Sequence, residues 1–389
     1  MVKKKKYNAS VVYPSTNPSI SSGRRLRMTT SGKPKIAVGM SGGVDSSVAA
    51  ALLKDQGYGV IGFFMHFWTD PHYAQIQTIA NKCCSVDAKI DARRVAEKLD
   101  IPLYTLNLDQ DFKDYIVNNF LDQYKNGLTP NPCVRCNQFI KFGLFWEKAK
   151  SLGCDFIATG HYAQLKNGHL KEAKDKDKDQ TYFLYRLTPG ILKHCLFPIG
   201  EYKKEEVRKL AEKMDLPVFA KKDSQEICFV PEKTPENFLK RYLKLKSGPI
   251  VTTEGKIIGK HQGIALYTIG QRKGLELPGG PWYVVNLDFK HNLVIVADNN
   301  EHPALFNDIM YVSEINWLQK VKLPAKLEVR IRYMHKGHLA IIKEIKKGIL
   351  EVKFENKQRA ITPGQSAVFY QNGEVAGGGI IFKMTNTKV

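Results

Sequence analysis

The nine residues Gly39-Met-Ser-Gly-Gly-Val-Asp-Ser-Ser47 constrain this chain more than any other stretch. They join a short strand, Lys35 to Gly39, to the helix-forming run Val48-Ala-Ala-Ala-Leu-Leu53. Small residues let the backbone curl closely around an anion, while serine hydroxyls and the open amides of a helix start aim donors at it. The stretch is therefore read as an anion cradle. It lacks the Gly-Lys-Ser/Thr ending of a Walker A loop and the G-x-G-x-x-G spacing of a dinucleotide fold.

Around this loop the chain alternates. A helix from about Ser46 to Gln56, a strand Gly59 to His66, a helix from about Asp87 to Leu99 and a strand Leu103 to Asn107 follow in turn. That rhythm predicts an α/β fold with a doubly wound parallel sheet. Helices at Asp111 to Tyr124 and Phe139 to Leu152 precede a strand Phe156 to Thr159, which ends at Gly160-His161-Tyr162. Lys171 to Asp179 reads as a solvated charged loop. A helix Lys203 to Met214 and the segment Phe219 to Phe229 close the domain. Beyond Pro231, apart from a helix at Glu236 to Leu245, short β-branched segments take over; Lys326 to Tyr333, Ala340 to Ile345, Leu350 to Phe354 and Ser366 to Tyr370 have strand length. The expected division is a disordered basic leader (1–34), a catalytic domain (35–230), a small linking domain (231–308) and a C-terminal β-barrel (309–389).

The formal charge of +21 narrows the partners. Nine of those charges lie in Lys3 to Lys6, Arg24, Arg25, Arg27, Lys33 and Lys35, and from Ile309 onward 14 Lys and Arg face six Glu. A polyanion bound with salt sensitivity is the natural partner, a merely basic surface the alternative. The longest apolar run, Ile61 to Trp68, is far short of the roughly 20 residues a membrane span needs. The acid-free leader has no apolar stretch of a secretory signal, so a cytoplasmic monomer is expected, with organellar targeting by the leader as the alternative. Seven cysteines, at 83, 84, 133, 136, 154, 195 and 228, form an odd set that suits thiol, metal or redox chemistry better than a disulfide framework. Cys154 and Cys195 have apolar neighbours and read as small buried hydrophobes.

Ser-Gly-Gly-x-Asp-Ser after a strand resembles the pyrophosphate-binding loop of the ATP pyrophosphatases, an adenine nucleotide alpha hydrolase-like fold. The resemblance implies that Gly39, Met40, Ser41, Gly42, Gly43, Val44, Asp45 and Ser46 hold ATP, with Asp45 beside the pyrophosphate and its Mg2+, and that Met65 and Gly160 border the adenosine. Two thiol segments supply a nucleophile. Asn131-Pro-Cys-Val-Arg-Cys-Asn137 opens a helix expected near Gln138, where a helix start and Arg135 favour the thiolate of Cys136. Cys228 lies in Lys221-Lys-Asp-Ser-Gln-Glu-Ile-Cys-Phe229.

Together with Thr159-Gly-His-Tyr162, Lys178-Asp-Gln180, Tyr267-Thr-Ile-Gly-Gln-Arg-Lys-Gly-Leu275, Arg332-Tyr333, Thr362-Pro-Gly-Gln365 and Gly377-Gly-Gly-Ile-Ile381, these motifs resemble the tRNA-specific 2-thiouridylases from about Lys35 to Phe382. The resemblance implies ATP-dependent 2-thiolation of the wobble uridine. Cys228 carries a persulfide delivered by a sulfur relay protein or cysteine desulfurase, and Cys136 is the assisting nucleophile; the two end as a disulfide. It also implies that Asn131, Pro132 and Cys133 face the target base, and that His161, Lys178, Asp179, Gln180, Arg332, Tyr333 and Gln365 touch the anticodon arm of the tRNA.

One departure stands out: Cys133 occupies the place where the family usually has Asp. Cys133, Cys136 and Cys228 would supply three corners of an iron–sulfur cluster, and Cys83, Cys84, Cys133 and Cys136 a zinc site, as alternatives to persulfide chemistry. Three other functions remain open: an amidotransferase-type ATP pyrophosphatase, which needs neither Cys136 nor Cys228; a basic RNA-binding protein with a degenerate nucleotide site; and methyl transfer to tRNA, which leaves the anion loop unexplained.

Overall fold

A computed structural model describes residues 11–12, 32–72, 85–222, 227–230, 232 and 234–384. The leader lies outside the described residues except for 32–34 and the two-residue strand Val11–Val12, and so do Cys83, Cys84 and residues 223–226. The chain divides into two compact units: residues 1–116 with 135–233, and 117–134 with 234–389.

In the first unit, five parallel strands stand in the spatial order Leu103–Asn107, Gly59–His66, Lys35–Gly39, Phe156–Ala158, Cys195–Leu196. Val11–Val12 pairs antiparallel at the Leu103–Asn107 edge. Ile36, Ala37 and Val38 are fully buried, as a strand covered on both faces requires. The order of connection reverses between Lys35–Gly39 and Phe156–Ala158. Such a switch point opens a crevice at the carboxyl ends of the strands, where doubly wound sheets take ligands.

The helices that cover the sheet follow their apolar spacing. Helix α1, Val44–Asp55, buries Val48, Ala49, Ala51 and Leu53. Helix α2, Val86–Lys98, buries Ala88, Ala92, Val95 and Ala96, and its cap Ser85 accepts the Ala88 amide at 3.1 Å. Elsewhere in the unit Phe112 stacks on Phe67 with centroids 4.8 Å apart and meets Phe229 edge-on at 5.7 Å.

Two sequence expectations need correction. The helix expected from Phe139 begins at Pro132 and runs, through a π-helical stretch at Cys136–Leu144, to Ser151. Asn131 is its cap, with Oδ1 accepting the Val134 amide at 3.4 Å, and proline holds the first helical position, which needs no amide donor. The charged stretch after Lys171 is more than a solvated loop. It follows a hairpin of Gln164–Lys166 and His169–Lys171, and Ala173 and Asp179 are buried within it.

The second unit holds helix Glu236–Tyr242 and a four-stranded sheet ordered Ile257–His261, Gly248–Thr252, Leu293–Ala297, Tyr283–Asp288. Its remaining six strands, Phe306–Trp317, Ala325–Arg330, His338–Lys346, Ile349–Arg359, Ser366–Gln371 and Glu374–Met384, close into a barrel when the first pairs with the last. Closure removes the exposed edges of an open sheet. Alternate residues, among them Leu327, Val329, Ala340, Ile342, Val352, Phe354 and Phe369, point inward to fill it. Among the described residues no helix is long and apolar enough to cross a membrane.

Candidate active site

The glycine-rich loop lies at the switch point, after the central strand. The Met40 amide donates to Phe63 O at 2.8 Å, holding the loop's entry to the neighbouring strand. Ser46 Oγ accepts the Ser41 amide at 3.2 Å and bonds Gly43 O, and Ser47 Oγ donates to Gly43 O at 2.8 Å. The loop is thus folded on its own serines. Gly42 has φ +69°, and a Cβ there would run into the Ala88 carbonyl of α2. A Cβ at Gly160, from the neighbouring strand's end, would lie 2.6 Å from the Ser46 nitrogen, so both glycines are dictated by close backbone approach. Met65 lies over Gly39, its Cε 3.1 Å from where a Cβ would stand.

Two lysines that sequence reasoning did not single out complete the loop's surroundings. Lys204 Nζ is bonded to both oxygens of Asp45, at 2.7 and 2.8 Å, and Tyr162 OH donates to Asp45 Oδ1 at 2.9 Å. Lys221 Nζ reaches Gly42 O at 2.9 Å and Asp91 Oδ2 at 2.7 Å. An anion entering the loop would meet serine hydroxyls, the start of α1 and two ammonium groups.

The Lys178-Asp-Gln180 motif braces this arrangement. Gln180 Oε1 accepts the Tyr162 amide at 2.9 Å and the Gln180 amide donates to Tyr162 O at 2.8 Å, fixing the tyrosine that bonds Asp45. Asp179 is buried, with its carboxylate taking the Ala173 amide at 2.9 Å and the Thr181 hydroxyl at 2.6 Å. The Lys178 amide donates to Asp175 O at 3.3 Å within the same turn. His161 is buried too, 2.8 Å from Thr159 Oγ1 and near the rings of Phe142 and Phe197. Burial, helped by the Lys141 charge, holds its pKa well below the ordinary histidine value, so the ring is neutral.

The described cysteines, 133, 136, 154, 195 and 228, are all thiols. Cys136 is buried at the start of the π-helical stretch, a backbone irregularity common at functional sites. It stands one turn beyond the true helix start, where the helix's terminal charge has faded. Arg135 is turned aside, with Nε donating to Tyr115 O at 3.2 Å and the guanidinium 4.9 Å from the Phe139 ring. Cys228 is half-buried, next to the fully buried Phe229 that packs on Phe112. Cys133 is exposed. Burial pushes the thiols of Cys154 and Cys195 up to about 11 and about 12. Among the described residues no group of three His, Cys, Asp or Glu is arranged to hold a metal ion, so Cys133, Cys136 and Cys228 are not gathered as a ligand set, while Cys83 and Cys84 of the zinc alternative lie outside the described residues.

In the second unit, Arg332 and Tyr333 are exposed in the turn after strand Ala325–Arg330, with Arg332 Nη1 donating to Arg359 O at 3.1 Å. Gln365 Nε2 donates to Thr129 O at 3.0 Å and Pro130 O at 3.2 Å. Pro132 is buried directly after Asn131.

Residues 34–232 match the family described as tRNA methyl transferase HUP domain, 236–298 the tRNA methyl transferase PRC-barrel domain and 307–381 the Aminomethyltransferase beta-barrel domain. The tRNA-specific 2-thiouridylase MnmA of Clostridioides difficile (strain 630) is 44% identical over 360 residues, 90% of this chain and 98% of its own. The corresponding MnmA 1 of Caldanaerobacter subterraneus subsp. tengcongensis is 49% identical over 360 residues, with the same two coverages. The chain belongs to the tRNA-specific 2-thiouridylase family.

For this thiouridylase-family chain, Gly160→Ala is expected to weaken ATP binding on the order of tenfold or more, because the added methyl displaces the amide of Ser46. Lys204→Met and Lys221→Met should each do the same by removing a charge-assisted bond. Calorimetric titration with a non-hydrolysable ATP analogue is the check, and unchanged affinity in all three contradicts the assignment. The raised thiols keep Cys154 and Cys195 protonated up to about pH 10. Iodoacetamide at pH 7.5 should accordingly label Cys133 and spare those two, as read by peptide mass spectrometry.

Proposed function

We propose that this protein is a tRNA-uridine 2-sulfurtransferase that thiolates the wobble uridine at the expense of ATP. The observation that carries the reading is one unit holding both an anion loop flanked by Lys204 and Lys221 and two thiols, Cys136 and Cys228, that resemble the thiouridylase pair. The 44% and 49% identical relatives, named as tRNA-specific 2-thiouridylases, point the same way.

In this reading Gly39 to Ser46 cradle the phosphates of ATP, and Met65 and Gly160 border its adenosine. The uridine C2 oxygen attacks the α-phosphate, forming an adenylate and releasing pyrophosphate. Serine donors and the two lysines offset the charge of the departing group. Asp45 would supply a hard oxygen donor to Mg2+, which would neutralise phosphate charge there.

Cys228, loaded as a persulfide by a relay protein or desulfurase, attacks C2 with its terminal sulfur. AMP leaves with the C2 oxygen, and C2 is joined to Cys228 through an S–S bond. The Cys136 thiolate attacks the Cys228 sulfur and breaks that bond. The tRNA keeps the sulfur, reduced by two electrons, and Cys136–Cys228 is left as a disulfide. An external thiol reductant restores both thiols, which suits a reducing compartment such as the cytoplasm.

Asn131, Pro132 and Cys133 face the base, and the anticodon arm is met by Lys178 and Gln180, beside buried Asp179 and His161, and by Arg332 and Tyr333, with Gln365 acting through the loop it holds. The matching families carry the words methyl transferase, but methyl transfer has no use for an anion loop or a thiol pair, and sulfur transfer uses both.

Mass spectrometry of tRNA incubated with the enzyme, ATP, Mg2+ and a persulfide donor should find one oxygen replaced by sulfur at the wobble uridine, and none with Cys228→Ala. Sulfur addition that survives this change overturns the reading. Arg332→Ala should weaken tRNA binding across all sequences and lower the slope of log K against log salt by about one. Binding measured at several salt concentrations decides this, and an unchanged slope removes Arg332 from the interface.

A further inference from the structure

From the geometry of the Thr362-Pro-Gly-Gln365 turn we infer that Gln365 is a positioning residue for the loop that presents Asn131 to Cys133, so that the barrel sets the geometry of the target-base loop. The inference rests on reading that loop as the one facing the base. Thr362 O accepts the Gln365 amide at 3.2 Å, with proline second and Gly364 third at φ +93°, the pattern of a type II turn. The turn is fastened to the barrel's last strand, since the Gly364 amide donates to Ile381 O at 2.8 Å and the Ile381 amide to Gln365 O at 2.9 Å.

This rigid turn holds the segment before Asn131 by three independent contacts. The Thr129 amide donates to Pro363 O at 2.9 Å. A Cβ at Gly364 would lie 2.7 Å from both the nitrogen and the oxygen of Thr129, so the two backbones touch where no other residue fits. The side-chain amide of Gln365 donates to the consecutive carbonyls of Thr129 and Pro130. Pro130 and Pro132 have no amide to offer, so this stretch has few backbone donors with which to hold its own shape. Its carbonyls are held from outside instead. Thr129 Oγ1 adds a contact to Thr268 Oγ1 at 3.3 Å, bringing in the Tyr267-Thr-Ile-Gly motif of the linking region.

A residue whose side-chain donors are both committed to backbone carbonyls acts on RNA through the loop it holds. Loosening the loop would blur the position of the base it presents, and small displacements of this kind cost rate more than affinity.

The test uses the full-length enzyme with Gln365→Met, which keeps the side chain's size and removes both donors. Amide exchange at Thr129, followed by mass spectrometry without tRNA, should speed up on the order of tenfold, while exchange in the barrel strands stays at the wild-type rate and so establishes that the variant is folded. The thiolation kcat should fall on the order of tenfold, with KM for tRNA within about twofold of wild type. Wild-type exchange at Thr129 in the variant, or loss of tRNA affinity with kcat unchanged, overturns the inference. Failure of the wild-type enzyme to thiolate tRNA would instead sink the functional reading, and the exchange result would stand apart from it.

Discussion

Everything in the first unit depends on the close approach of two backbones at the switch point. Gly160 leaves the end of one strand and passes directly over the start of α1, so near that a single methyl would displace the Ser46 amide. On the loop's other side Gly42 meets the carbonyl of Ala88 in the same way. The loop is therefore clamped between a strand end and a helix start, and its amides are preorganised before any ligand arrives. Preorganisation is what allows backbone dipoles to stabilise developing charge without reorganising at the moment of reaction.

Charge is arranged to suit that rigidity. Lys204 is bonded to Asp45 and Lys221 to Asp91 and the Gly42 carbonyl, so neither ammonium lacks a counter-charge. An incoming polyanion would compete with Asp45 and Asp91 for both cations. Internal ion pairs of this kind hold the loop's surroundings together, and an anion that recruited the lysines would have to displace them. Tyr162, held by Gln180, keeps Asp45 aimed.

The parts of the fold and site that were legible in the sequence are those whose cause is local. Gly39 to Ser47 announce themselves because glycine and serine spacing encodes the turn directly, and the parallel strands because their apolar runs are short and evenly interrupted. Lys204 and Lys221 were illegible. Their partners lie 159 and 130 positions away, and lysine is too common in a chain with 59 Lys and Arg for any one to stand out. The start of the helix that carries Cys136 was misplaced for a different reason. Asn131-Pro132 is a cap followed by a first-turn proline, yet beside Thr129-Pro130 it reads equally as a turn; only the bond from the Val134 amide to Asn131 separates the two. Asp179 reads as solvated because its surroundings are charged, whereas its burial depends on partners such as the Ala173 amide and the Thr181 hydroxyl.

The cysteines carry the argument from structure to reactivity. Cys154 and Cys195 are pushed out of the reactive range by burial, and nothing near them favours a thiolate strongly enough to reverse it. The sequence alone placed Cys136 at a helix start, where the terminal dipole would have activated it; the structure moves that start one turn upstream and turns Arg135 toward Tyr115. Among the described residues Cys136 is buried and Cys133 exposed, so an oxidant from solution reaches Cys133 more readily than Cys136.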